Sequence, residues 1–131
     1  GRYNRPYMAV GRYFKLQFIT GENTMSNQPD IFWEGQSGNK YGYWISPIND
    51  SFKKEPGNYV FAKQTKPNHW RPIYIGQTNN LLNRLSNHEK MDCAITNGAT
   101  HIHTHTNPNG ENARLLEESD LINKWNPVCN D

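Results

Sequence analysis

Apolar and aromatic residues fall into short runs separated by turn formers, and their spacing predicts strands alternating with helices. Tyr41-Gly42-Tyr43-Trp44-Ile45 reads as a strand that Pro47 ends. After a turn from Lys53 to Gly57, Asn58-Tyr59-Val60-Phe61-Ala62-Lys63 reads as a second strand, and Pro72-Ile73-Tyr74-Ile75-Gly76 as a third. The loop between them, Thr65 to Arg71, has hairpin length, so the two strands are expected to be antiparallel neighbours. Thr78 is placed to cap a helix over about 79–90, with Leu81, Leu82 and Leu85 as its apolar stripe. His101-Ile102-His103-Thr104-His105 alternates as a fourth strand. A turn from Pro108 to Glu111 leads into a helix over about 112–125, which Pro127 stops from continuing. This order predicts an α+β domain with a small central antiparallel sheet of about three to four strands flanked by helices.

Residues 1–24 break the pattern. They are basic and lack a clear period, apart from the alternation over Tyr13 to Phe18, and Met25-Ser26-Asn27-Gln28-Pro29-Asp30 reads like a native start. The expected organisation is an N-terminal extension over 1–30, disordered or not native to the fold, and one domain over 31–131. Trp33, Tyr41, Tyr43 and Trp44 are expected to add an edge strand that covers the sheet; base stacking is the other use open to them.

Composition narrows the class. Four Trp, seven Tyr and five Phe in 131 residues need a core, which excludes a disordered chain. The net charge is +2, but residues 1–24 hold Arg2, Arg5, Arg12 and Lys15 against Glu22, so the remainder carries −1. Charge alone therefore does not point to nucleic acid. Cys93 and Cys129 lack CxxC spacing, which argues against a disulfide framework or structural zinc and for reduced thiols in a cytoplasmic protein. No apolar run approaches the ~18–20 residues that span a bilayer, so no membrane partner is expected.

The last helix carries an odd carboxylate. At about 100° per residue, Leu115, Leu121, Ile122 and Trp125 cluster on one face, with Glu118 at its centre and Glu117 nearer solvent. A carboxylate in that position must be paired, hydrogen-bonded or bound to metal. A salt bridge to Arg114 and a metal ligand are both open on pattern alone. His101, His103 and His105 share one face of their strand, but residues in a line suit a tetrahedral zinc site poorly. A row facing solvent or DNA is the expectation.

These residues then line up with a known family. Gly57-Asn58-Tyr59 and Tyr74-Ile75-Gly76 resemble the two signature elements of the GIY-YIG nucleases. Arg84 stands eight residues after Gly76, the spacing of the family's helix arginine, and His88 follows one turn later. Glu118 stands three residues before the Leu121-Ile122 pair, where the family has its metal-binding glutamate. Pro127-Val128-Cys129-Asn130 resembles the closing Pro-x-x-Asn. The resemblance covers residues 57–130. It departs at Asn58, usually Ile, which alternation points away from Tyr59 and so into packing. Taken singly, a strand tyrosine is more often core than catalytic; order and spacing decide otherwise.

The resemblance implies a metal-dependent endonuclease that hydrolyses DNA phosphodiester bonds. Its site residues are Tyr59, Tyr74, Arg84, His88, Glu118 and Asn130. Glu118 holds a divalent cation, magnesium or else manganese. Arg84 faces the phosphate. Tyr59 or, as a rival, His88 activates the water, and Asn130 supports the site. A catalytically weak or inactive nucleic-acid-binding module is the alternative. Low sequence specificity is expected, unless a homodimer or partner protein supplies it.

Overall fold

A computed structural model of the chain describes residues 27–131, so residues 1–26 of the extension expected over 1–30 lie outside them. Five strands form one sheet: β1 (Ile31–Glu34), β2 (Lys40–Pro47), β3 (Gly57–Lys66), β4 (His69–Thr78) and β5 (His101–Thr106). Their order is β1-β2-β5-β3-β4, with every neighbouring pair antiparallel. The helices are α1 (Leu81–Ser86), α2 (Met91–Thr96) and α3 (Glu111–Trp125), and Val128–Asn130 form a 3-10 turn. The fold is α+β, as the pattern predicts, with one strand more than expected. The extra strand, β1, has four residues, too few for alternation to stand out.

Alternation gives each sheet face its own core. On one face Ile31, Trp33, Tyr43, Val60, Ala62 and Ile75 pack with Leu121 of α3. On the other, Tyr59, Phe61, Ile73 and Ile102 pack with Leu81 and Leu85 of α1 and Ala94 of α2.

Four expectations need correcting. First, the helix expected over about 79–90 covers only 81–86, and a separate short helix follows over 91–96; the first is capped by Asn80, whose Oδ1 accepts from Asn83 N–H, rather than by Thr78. It stops at Ser86 because Asn87 leaves helical geometry, and residues such as Ser and Asn give the backbone alternatives to the helix. Second, Glu117 is buried and Leu115 exposed: the line Arg114-Glu117-Leu121 is the buried one on α3. Glu117 is satisfied there by Tyr43 Oη at 2.6 Å, His105 Nε2 at 2.7 Å and Asn107 Nδ2 at 3.3 Å. Third, the histidine row is not an open surface. It does share one face, but that face lies under α3 and the tryptophans. His103 is fully buried; its Nδ1 accepts from Trp33 Nε1–H at 3.0 Å, and its ring meets that of Trp70 edge-on. Fourth, Cys93 and Cys129 are not reduced thiols. They form a disulfide, their Cα atoms 6.0 Å apart, because α2 and the 3-10 turn pack side by side at the sheet. That bond removes the premise of the cytoplasmic expectation. Among the described residues no helix is long and apolar enough to cross a membrane.

Candidate active site

Tyr59 and Tyr74 stand on adjacent strands, β3 and β4, on the sheet face that α1 and α2 cover. Their rings lie 6.2 Å apart, and the Tyr59 ring lies across Gly76. A Cβ at Gly76 would come within 2.5 Å of that ring, so this position needs glycine. Gly57 has an equal constraint: a Cβ there would meet the backbone oxygen of His105 at 2.5 Å. Both glycines of the paired signature are thus space requirements, one at the end of the strand and one under the tyrosine.

The break after α1 brings His88 to the tyrosines. Its ring sits 5.0 Å from Tyr74, 5.6 Å from Tyr59 and 4.9 Å from Phe61, edge-on to each. His88 Nδ1 accepts the backbone N–H of Lys90 at 3.0 Å. A neutral imidazole then carries its proton on Nε2, which lies 2.7 Å from Tyr59 Oη. Burial, helped by the Arg84 charge, pushes His88 down to about 4, so the ring is neutral near pH 7. Burial pushes Tyr59 and Tyr74 the other way, upward, and Arg84 opposes the rise in both.

Arg84 points from α1 toward both tyrosines. Its Nη1 and Nη2 fork onto Glu89, at 2.6 and 2.7 Å. That contact is the main cause of the raised Arg84 pKa, and it holds Glu89 down at about 2.

Glu118 approaches from α3. It is half-buried, close enough to raise both tyrosine pKa values, and accepts the backbone N–H of Gln77. Desolvation raises its own pKa against that hydrogen bond. No ion pair with Arg114 is present among the described residues. Asn130 clamps β4 at Ile75: its Oδ1 accepts Ile75 N–H at 2.9 Å and its Nδ2 donates to Ile75 O at 2.8 Å. Asn130 and Glu118 together cover the outward backbone groups of Ile75 and Gln77 on an edge strand, which fixes β4 just after Tyr74.

The donor set suits a hard divalent cation. A single carboxylate beside phenol oxygens, with water and phosphate left to complete the shell, is how magnesium is commonly held. No cluster of three acidic, His or Cys side chains competes for such an ion among the described residues.

Several neighbours were not anticipated. Glu89 has no pattern that marks it. Asn58 does face away from Tyr59, but as part of a buried polar chain: it donates to Arg114 O at 3.0 Å and accepts from Asn107 at 2.9 Å. Its presence in a run of apolar strand residues was the available signal.

No family profile matches the chain, and no curated protein matches it. Among solved structures it is similar to the N-terminal GIY-YIG endonuclease domain of UvrC from Thermotoga maritima bound to its catalytic divalent cation, magnesium, at 29% identity and a TM-score of 0.49. Two point mutants of that domain, also bound to the divalent cation, match at 28% and 30% identity with TM-scores of 0.49 and 0.48. Each match covers 60% of this chain and 86% of that one. The fold of this chain is GIY-YIG-like: its two signature elements form paired strands, followed by the arginine helix and the glutamate helix.

Proposed function

We propose that this protein is a metal-dependent endonuclease that hydrolyses phosphodiester bonds in DNA. The observation that carries this reading is the meeting of Tyr59, Tyr74, Arg84 and Glu118, from four different elements, around one point at the sheet edge. A purely structural cluster has little use for a desolvated carboxylate beside two desolvated phenols.

Tyr59 takes the proton of the attacking water as phenolate, a form that burial opposes and that the Arg84 charge and the bound cation must favour. Its Oη receives Nε2–H of His88 and lies within reach of Arg84, so two donors hold the negative charge. His88 is a positioning residue in this scheme, because its Nδ1 is engaged by the backbone and its Nε2 donates. Arg84 offers a planar fork to the phosphate oxygens. Tyr74 packs beside Tyr59 and orients the water. Glu118 holds the divalent cation, and Asn130 keeps β4 in place behind Tyr74. When bound, the cation supplies positive charge to the phosphate and to the leaving 3′ oxygen.

A plasmid-nicking assay with magnesium tests this reading. Wild type should nick and lose activity in EDTA; Glu118→Ala and Arg84→Ala should each lose at least about a hundredfold, the scale of removing one charge-stabilising group. Equal nicking by all three proteins would refute the mechanism. Absence of nicking by wild type on plasmid and on branched or single-stranded DNA, with binding retained, would make the chain a binding module.

A further inference from the structure

Arg114 is a buried cation without a carboxylate. It is 6% exposed, yet among the described residues no acidic group lies within ion-pairing distance of it. Its Nε donates to Gln77 Oε1 at 3.0 Å and its Nη1 to Asn107 O at 3.2 Å, both neutral acceptors. Glu117, one turn on, takes its hydrogen bonds from Tyr43, His105 and Asn107 instead. Burying a guanidinium against neutral acceptors alone is costly, and an anion that completes its shell repays much of that cost.

The surroundings leave space for such an anion. Arg114 and Arg84 line one cleft of about 480 Å³, with Gln77, Thr78, Asn79 and, at its exposed rim, Glu111. The two guanidiniums come from different helices, α1 and α3. Arg84 belongs to the proposed cleavage site; Arg114 reaches the same cleft from α3 and is hydrogen-bonded to Gln77. A nucleic-acid backbone, with its successive phosphates, offers one charge to each guanidinium.

We infer that this cleft is a two-phosphate site in which Arg114 binds the backbone phosphate next to the one held by Arg84. This rests on the nuclease reading for the identity of the strand, but its test does not depend on cutting. It assigns Arg114 to strand binding and alignment.

Binding is measured with the full chain in EDTA, by competition against a labelled DNA duplex. The thymidine dinucleotide carries one phosphate and the trinucleotide two. Wild type should prefer the trinucleotide by about tenfold, the scale of a phosphate contact to a fixed arginine. Arg114→Gln should erase that preference, bind the duplex about tenfold more weakly, and lower the slope of log K against log salt by about one. Arg114→Lys, which keeps the charge, should retain the slope.

Equal binding of the two oligonucleotides by wild type overturns the inference, whether or not Arg114→Gln folds. So does a folded Arg114→Gln with an unchanged slope. A mononucleotide that competes as well as the trinucleotide overturns it in favour of a free-phosphate site. A chain that passes these tests but never nicks DNA keeps the two-phosphate site and loses the nuclease reading.

Discussion

Tyr59 Oη and His88 Nε2 lie 2.7 Å apart, and the Lys90 backbone N–H on the opposite side of the imidazole makes His88 the donor. A histidine so placed stabilises a phenolate and has no lone pair left for a water. Tyr59→Phe should therefore lower kcat by about 10²–10⁴, the usual range for a general base. His88→Gln should cost less, since an amide can still donate. The pH–rate profile separates the roles. It should rise with pH through the neutral range in wild type and in His88→Gln alike. A wild-type inflection near pH 6.5 that vanishes in His88→Gln would return the base role to His88.

Glu89 occupies both terminal nitrogens of Arg84, so a phosphate must displace it. Glu89 is exposed and Arg84 partly so, so solvent screens the pair and displacement is easy. Glu89→Gln should lower KM for DNA severalfold and leave kcat unchanged, most visibly at low salt. An unchanged KM at low salt would show that phosphate reaches Arg84 without competing with Glu89.

Two buried histidines make stability depend on acid. His88 is pushed down to about 4 and His103 to about 3, both chiefly by burial, against 6.5 for a free side chain. The unfolded chain binds more protons below pH 6.5, so stability falls as pH drops through 6.5, toward 4 for His88 and 3 for His103. The urea midpoint should be flat from pH 8 to 7 and decline steadily from pH 6.5 to 4.5. A midpoint that holds to pH 4.5 would contradict the burial of these rings as neutral groups.

The Cys93–Cys129 disulfide closes a loop of sequence separation 36, worth about 3–4 kcal/mol in chain-entropy terms. Reduction, or Cys129→Ser, should lower the thermal midpoint. It should also slow nicking, because Asn130, next to Cys129, is what holds β4 at Ile75. A reduced protein with unchanged midpoint and rate would show that the clamp stands without the bond.

The family resemblance, carried by order and spacing, made much of the candidate site legible. Tyr59, Tyr74, Arg84 and Glu118 are separated by intervals that paired strands and successive helices turn into proximity. The α+β architecture followed from period and turn residues in the same way. What stayed hidden is polar and buried. The face of α3 could not be read from hydrophobicity, because its buried line begins with Arg114 and Glu117, each satisfied by partners distant in sequence. His103 was hidden for the same reason, since only the tryptophans from β1 and β4 make its position apolar. The break at Asn87 escaped because the leucine pattern ends before it does.

The strand order also carries a consequence for how the chain assembles. β2 and β3 are consecutive in sequence but not adjacent in the sheet; β5, more than 50 residues after β2, lies between them. The β1–β2 and β3–β4 pairs can each form locally, yet neither joins the other until residues 101–106 have been synthesised. Contacts of that sequence separation slow folding. Until β5 docks, two hairpins present open edges on either side of the position it will fill, which is where strand exchange between copies and capture by chaperones would act.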